Sequence, residues 1–291
     1  MLGSADREPL QPQDLVLTIV GTHLREAGQR AWAGGMVRIL EDLDFTTGAA
    51  RAALGRLANR ELLTRVREGR QVFYSLTPRA EELLAEGDRR IFGFGRGARE
   101  PAVRADDDEL WTVIWHSIPE DQRVNRARFA SRLRFLGFGA LQDGTWVAAR
   151  NHELEVQRLV SQLALGAHVS VIVGRMSLDS PPQALIGQAW RLEDVGDRYA
   201  RFLADFAALR DPGARERLSA AAAFSARTLL LHRFRAFPSI DPELPASIDP
   251  LGELRAQAVA CFDELFAALR QPATEHFWAT VGPDTAGAGN Q

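Results

Sequence analysis

Arginine side chains are concentrated in one short part of this 291-residue chain. Residues 46–79 contain seven arginines and two glutamates, which gives a local formal charge of +5 in a chain whose net charge is −3. A guanidinium group can donate two parallel hydrogen bonds to a phosphate or to the edge of a guanine base. This composition therefore predicts a surface that faces the phosphates of a nucleic acid.

Three predicted helices precede and carry these arginines. Apolar residues spaced three and four apart predict helices over 15–25, 33–43 and 47–63, and Gly28 follows the first helix as a stop signal. On the third helix an apolar stripe is expected to face the core, which leaves Arg51 and Arg56 on the outward face. Other positions on this face hold small residues, which add little bulk, so the helix is expected to fit a major groove about 12 Å wide.

After the third helix the apolar period changes from helical to two, which predicts a β-hairpin with Glu68, Gly69 and Arg70 at its tip. Three helices and a basic hairpin are typical of a winged helix-turn-helix, and we assign this domain to residues 1–92. The alternative is a three-helix domain whose basic face is only solvated or binds protein. Thr46 or Thr47 is predicted to cap the third helix. The predicted DNA-binding residues are Thr46, Thr47, Arg51, Arg56, Arg65, Arg67, Arg70 and Gln71.

The middle of the chain is predicted to be a linker at 93–107 and a small domain at 108–178. The order of patterns in the latter is β-α-β-β-α-β, which is typical of a ferredoxin-like domain. Asp143 and Gly144 join two of its strands, and this pair is a strong hairpin signal. Such domains often pair with each other, so we predict a homodimer.

The remaining chain is predicted to be a helical C-terminal domain at 179–280, with helices over 212–234 and 254–269, and a disordered tail at 281–291. Residues 235–250 contain four prolines and cannot form the interior of a helix. The predicted fold class is therefore α+β, with an N-terminal winged helix-turn-helix, a central ferredoxin-like βαββαβ domain and a helical C-terminal domain.

Composition disfavours several classes of enzyme. All 35 basic residues are arginines, so no lysine is available for a Walker A loop or a pyridoxal Schiff base. The six histidines lack metal-ligand spacing, and the first strand of the central domain ends at His116 without the carboxylate that a metal-dependent nuclease needs. Cys261 lies in an apolar helical pattern and is expected in the core. We predict no catalytic residue, no metal, no cofactor and no membrane span, in a cytoplasmic protein.

Four stretches of the sequence resemble the PaaX family of regulators, which is named for repressors of phenylacetic acid catabolism. The resemblance covers nearly the whole chain, and its final stretch, in which basic and aromatic residues lead into a proline-spaced acidic segment, is distinctive of the family. It implies a winged helix domain, a central domain similar to a CRISPR-associated nuclease, a helical C-terminal domain, and repression that an aryl-coenzyme A thioester relieves. The matching stretches are AARAALGRLANRELLTRVREGRQVFYSLTPRAEELL, RLRFLGFGALQDGTWVA, AWRLEDVGDRYARFLADF and LLHRFRAFPSIDPELP.

A coenzyme A thioester has phosphates at one end and an apolar acyl group at the other, so its site needs arginines beside apolar side chains. The predicted residues for an aryl- or acyl-CoA effector are Trp190, His232, Arg233, Phe234, Arg235 and Phe237. The alternative role for the residues around 232–237 is to clamp the proline-rich segment to its domain. A DNA-binding regulator without a small-molecule effector is the alternative function.

Overall fold

A computed structural model describes residues 10–25, 29–96, 110–176 and 182–282. Predictions that concern Gly28, most of the linker and the tail beyond 282 lie outside these residues. Contacts divide the chain into two units. The first comprises Met1–Phe92, Ala204–Phe234 and Ala260–Gln291, and the second comprises Gly93–Leu203 and Arg235–Val259. The division into five segments given above stays a prediction.

The first unit contains a winged helix-turn-helix, which confirms the predicted N-terminal fold. Its three-stranded antiparallel sheet has the order β1-β3-β2. The two-residue strand β1 was not predicted, because two residues are too few to show a period. The elements in chain order are α1 (Pro12–His23), β1 (Ala31–Trp32), α2 (Ala33–Glu41), α3 (Thr47–Asn59), β2 (Leu63–Glu68), β3 (Gln71–Leu76) and α4 (Pro78–Gly93).

Helices from the C-terminal part of the chain complete the core of the first unit. These are α10 (Ala220–Phe234) and α13 (Arg270–Val281), and α13 was not predicted. The short helix α9 (Pro212–Glu216) precedes α10 and has no buried residue. Phe224 and Phe277 belong to the same buried cluster as the apolar residues of α1, α2 and α3. The helix predicted over 212–234 is interrupted between α9 and α10.

One buried polar residue of this core is His23, at the end of α1. Its ring stacks on Phe277 with 4.4 Å between the centroids. Burial, assisted by the positive charge of Arg227, lowers the pKa of His23 to about 3. The imidazole is therefore neutral near pH 7 and acts as an aromatic packing group between the winged helix and α13.

The second unit contains a ferredoxin-like domain, as predicted. Its sheet is antiparallel throughout and has the strand order β5-β6-β4-β7. The two helices pack on one face of this sheet, where Phe129 and Leu133 share a buried cluster with Ile114 and Val156. The elements are β4 (Leu110–His116), α5 (Arg123–Phe135), β5 (Gly139–Gln142), β6 (Thr145–Ala148), α6 (Glu153–Gln162) and β7 (Val169–Arg175).

The remaining helices are α7 (Pro182–Ala189), α8 (Leu192–Phe206), α11 (Phe237–Ile240) and α12 (Gly252–Ala268). The proline-rich segment thus contains one short helix. Pro238 lies in the first turn of α11, where a backbone N–H has no helical acceptor to lose. The final predicted helix begins and ends within two residues of α12.

Candidate DNA-binding surface

Helix α3 begins at a threonine cap and presents two predicted arginines to solvent. The hydroxyl of Thr46 accepts a hydrogen bond from the backbone N–H of Ala49 at 3.2 Å, so this side chain starts the helix. The hydroxyl of Thr47 donates to the carboxylate of Glu41. Ala50, Ala53, Leu54 and Leu57 are buried, whereas Arg51 and Arg56 are exposed.

The outer face of α3 has little side-chain bulk at its two glycines, as the sequence predicts for a helix that enters a groove. A β-carbon added to Gly48 or Gly55 would meet no described atom within 4 Å, so open space lies over both glycines. The Nε of Arg56 donates to Oε1 of Gln13 at 3.3 Å. Gln13, at the start of α1, was not among the predicted residues, and it holds Arg56 at the edge of this open face.

The predicted wing is the hairpin of β2 and β3. Glu68 pairs with Gln71, which leaves Gly69 and Arg70 as a two-residue loop, and Gly69 adopts a positive φ of 58° that favours glycine. Arg65, Arg67 and Arg70 are exposed and Gln71 is half-buried. The Nε of Arg67 donates to the carbonyl oxygen of Gly69 at 3.1 Å, which fixes this guanidinium beside the tip.

Arg30 is a charged residue of this surface that sequence reasoning missed. It pairs with Glu68 on the wing, and its guanidinium lies 4.8 Å from the centroid of the Phe73 ring. Arg30 and Glu68 are 38 residues apart, so no local sequence pattern could predict that they pair. The other glutamate of the 46–79 stretch, Glu61, lies 3.7 Å from Arg79. Both negative charges of the stretch are thus opposed by arginines, and the surface remains positive.

The six predicted effector residues do not fall in one unit. In the first unit, Arg233 pairs with Asp205, and the buried Phe234 stacks on Phe262 with 4.0 Å between the ring centroids. His232 is half-buried in the same helix, α10.

The second unit holds the other three predicted effector residues. Phe237 is buried and stacks on Tyr199 at 4.2 Å, and Arg235 is half-buried. Trp190 donates its indole N–H to the carbonyl oxygen of Gly137 at 3.2 Å. Of the six, Trp190 lines a cavity of about 690 Å³ in this unit, between the junction of α7 with α8 and residues 246–250.

A buried ion cluster, which the sequence did not indicate, fastens the proline-rich segment. The guanidinium of Arg255 donates two hydrogen bonds to the carboxylate of Asp241, at 2.8 and 2.7 Å, and a third to Asp249 at 2.5 Å. The Tyr199 hydroxyl donates to Asp241 at 2.5 Å. Asp241 is fully buried. These contacts hold the segment, and Phe237 lies beside them because it stacks on Tyr199. A clamp by the residues around 232–237 stays a prediction.

Electrostatics within the cluster favour a charged arginine. Burial alone disfavours the guanidinium cation, but hydrogen bonds and the negative charges of Asp241 and Asp249 outweigh burial and raise the pKa of Arg255 above its ordinary value. Burial, followed by the charge of Asp241, raises the pKa of Tyr199, so its hydroxyl remains a donor.

Two kinds of feature are absent from the residues that the structure describes. No helix in this part of the chain is both long and apolar enough to span a membrane. In the same residues no group of three or more histidine, cysteine, aspartate or glutamate side chains is placed to hold a metal ion. Four consecutive acidic residues at 106–109, Asp106, Asp107, Asp108 and Glu109, lie outside the described residues.

Comparison with known proteins gives consistent matches along the chain. Three family models match, described as PaaX-like protein at residues 11–80, PaaX protein central Cas2-like domain at 104–186 and PaaX-like protein C-terminal domain at 190–279. The transcriptional repressor PaaX of Escherichia coli strain K12 is 26% identical over 247 residues, which cover 83% of this chain and 75% of that protein.

A solved structure is also similar. The uncharacterized protein Rv0674 from Mycobacterium tuberculosis matches with a TM-score of 0.55 and 22% identity, over 92% of this chain and 99% of that chain. At this identity the similarity bears on the fold alone.

Proposed function

The chain belongs to the PaaX family, and we propose on this basis that it is a transcriptional repressor that binds double-stranded operator DNA through its winged helix-turn-helix. The observation that carries the proposal is the exposed positive face of α3 and the wing. Arg51 and Arg56 lie on the open face of α3, and Arg67 and Arg70 lie at the wing tip. The repressor role is supported by the name of the E. coli relative.

In this proposal α3 enters the major groove and the wing follows the flanking backbone. Arginine on α3 reads guanine edges by paired hydrogen bonds, whereas arginine on the wing neutralises phosphates without reading sequence. A single short helix contacts few base pairs, so we include a homodimer that reads two half-sites.

Footprinting upstream of the protein's own gene and its neighbours tests the operator proposal. We expect protection of a site with two half-sites related by two-fold symmetry, their centres separated by about 34 Å or a multiple of it. Sedimentation at micromolar concentration, with and without this DNA, should show a dimer. Absence of any protected site would contradict DNA binding, and a monomer under both conditions would contradict the dimer.

We further propose that an aryl- or acyl-CoA thioester releases the protein from DNA, and that its acyl end enters the cavity beside Trp190. Apolar side chains of Ile186, Trp190, Leu192 and Ile248 line this cavity. The charged residues of the lining are Arg191, Glu193, Asp194 and Asp249, and Arg191 pairs with Asp194. The acidic groups outnumber the arginine, so the phosphates of the ligand are expected to extend outward. This arrangement replaces the six-residue site as our proposal for the acyl group, and it keeps Trp190.

The cavity can be filled without strain at Gly187, which gives a direct test. Gly187 lies within α7 on the cavity wall, and a β-carbon there would meet no described atom within 4 Å. Gly187→Leu should lower acyl-CoA affinity by at least about tenfold, a change of about 1.4 kcal/mol, and leave operator affinity unchanged. Gly187→Ala is the matched control and should retain both.

Calorimetry should use phenylacetyl-CoA and a short panel of other acyl-CoAs, against free coenzyme A and the free acids. A 100-fold loss of operator affinity on ligand binding corresponds to about 2.7 kcal/mol of coupling. Unchanged binding by Gly187→Leu would place the ligand elsewhere. If no thioester binds below millimolar concentration, the protein is a regulator without such an effector.

A further inference from the structure

A second concentration of arginine lies on α5 of the ferredoxin-like domain, apart from the winged helix. The 13 residues of α5 contain five arginines and no acidic residue, in a chain whose net charge is −3. The arginines are Arg123, Arg126, Arg128, Arg132 and Arg134. This charge belongs neither to the proposed DNA surface of the winged helix nor to the proposed effector cavity.

The geometry of α5 places its arginines on both flanks of an outward face. Phe129 and Leu133 are buried against the sheet, which fixes the inward side of the helix. Arg123 and Arg134 are eleven residues apart, close to three full turns, so they share one flank about 16 Å apart along the axis. Arg128 and Arg132 are four residues apart and share the other flank.

The outward face between the flanks contains no large polar side chain. Val124, Ala127 and Ser131 lie there, and all three are exposed. A long anionic chain could therefore approach α5 closely and meet guanidinium groups on either side.

Two of the five arginines are available to bind an anion. Arg123 and Arg128 are exposed, and neither guanidinium forms an ion pair or hydrogen bond with a described residue. Arg126 donates to Glu120 at 2.7 Å, and the guanidinium of Arg134 lies 5.1 Å from the centroid of the Trp146 ring. The guanidinium of Arg132 lies 5.6 Å from the centroid of the Phe135 ring. These three have structural partners, so Arg123 and Arg128 are the residues to test.

The neighbouring helix does not cancel this charge. Helix α6 packs on the same face of the sheet and contains Glu153, Glu155 and one arginine, Arg158. Its acidic residues lie in its first turn, where Glu155 lies 3.8 Å from Nδ1 of His152, and α6 as a whole carries a formal charge of −1 against +5 for α5. Glu120 and Asp121 directly precede α5 and reduce its formal charge of +5 to +3 over residues 120–135, so α5 remains the source of positive charge on this side of the domain.

We propose that α5 is a second DNA-contacting surface, which binds the phosphate backbone of duplex DNA outside the segment read by the winged helix. The inference rests on the proposed operator binding. Arginines that flank an open helix face are complementary to a phosphate backbone, and contacts of this kind add affinity without adding sequence preference. An acidic protein partner is the competing occupant, and the test separates the two.

The test compares two duplexes that contain the same operator. One is trimmed to the base pairs protected by the winged helix, and the other extends about 20 bp beyond on each side, or about 68 Å of duplex at 3.4 Å per step. Affinities are measured over a series of salt concentrations for the wild type and for the double variant Arg123→Gln/Arg128→Gln. The matched control is Arg158→Gln/Arg201→Gln, which removes the same charge from two exposed arginines of the second unit.

For the wild type we expect a steeper dependence of log K on log salt with the extended duplex than with the trimmed one. The double variant should lower the slope on the extended duplex by about 1.8 per bound protomer, or about 3.6 for the proposed homodimer, since each lost phosphate contact contributes about 0.9. Its affinity for the trimmed duplex should equal that of the wild type, which also shows that the variant is folded. The control pair should leave both slopes unchanged.

Two results would overturn the inference and leave operator binding intact. In one, the wild type binds both duplexes with the same slope. In the other, the double variant retains the wild-type slope on the extended duplex, which would favour a protein partner for α5. Failure of the wild type to bind either duplex would instead contradict the proposed function itself, and the inference with it.

Discussion

Replacement of Asp241 by alanine should lower the free energy of unfolding by about 3–5 kcal/mol, because it removes one partner of a buried ion pair. Asp241 is fully buried and accepts two hydrogen bonds from Arg255 and one from Tyr199. Alanine leaves a buried cation and a buried hydroxyl without this acceptor, and the desolvation of both is no longer offset. Equilibrium unfolding in urea measures the loss.

The matched control removes the carboxylate of an exposed ion pair in the same unit. Glu120→Ala breaks the ion pair with Arg126. Because the Glu120 side chain is 71% exposed, the free energy of unfolding should fall by at most about 1 kcal/mol. A cost for Asp241→Ala as small as that of Glu120→Ala would show that the cluster does not hold the segment. Limited proteolysis gives a second readout, since cleavage within 242–250 should accelerate in Asp241→Ala and remain slow in Glu120→Ala.

The same substitution bears on the proposed effector site. Residues 246–250 line the cavity beside Trp190, and Asp249 from that run binds Arg255. Release of the segment should therefore weaken acyl-CoA binding as well as stability. Gly187→Leu should lower acyl-CoA affinity without lowering stability, whereas Asp241→Ala should lower both. The two variants therefore distinguish a filled cavity from a cavity whose 246–250 wall has come loose.

The winged helix could be predicted from sequence because its signals are local. A threonine cap, an apolar stripe at helical spacing and a glycine at a hairpin tip each act within a few residues, and α3 and the wing follow them. The packing of α10 and α13 into the same core could not be predicted in this way. Gly35 shows why: a β-carbon there would lie 2.3 Å from the carbonyl oxygen of Thr280, an approach that joins residues 245 positions apart.

The effector residues illustrate the limit of composition as a guide. Arg233 and Phe234 are adjacent on α10, so their side chains point about 100° apart. One pairs with Asp205 and the other stacks on Phe262, as the core of the unit requires. The charged residues that hold the proline-rich segment, Asp241 and Arg255, are 14 positions apart with an irregular segment between them. No period links such residues, and only the folded chain brings them together.

On the DNA surface, loss of Arg56 should reduce discrimination between operator and non-specific DNA by roughly 5- to 150-fold, or about 1–3 kcal/mol. The reason is its place on the exposed face of α3, where a paired hydrogen bond to a guanine edge is available. Gln13 holds the Arg56 guanidinium in the free protein, so Gln13→Ala should give a smaller loss of the same kind. Competition binding with operator and scrambled duplexes measures the ratio.

Arg70 on the wing should behave differently, and this contrast distinguishes base reading from backbone contact. Arg70→Ala should weaken binding to both duplexes alike and lower the salt slope by about 0.9 per bound protomer, or about 1.8 for the proposed homodimer, because a lost phosphate contact carries no sequence information. Arg201→Ala in the second unit removes the same charge and should change neither quantity. An Arg70→Ala variant with wild-type affinity and slope would show that the wing does not bind DNA. An Arg56→Ala variant that weakens both duplexes equally would show that α3 contacts the backbone only, and that sequence is read by other residues.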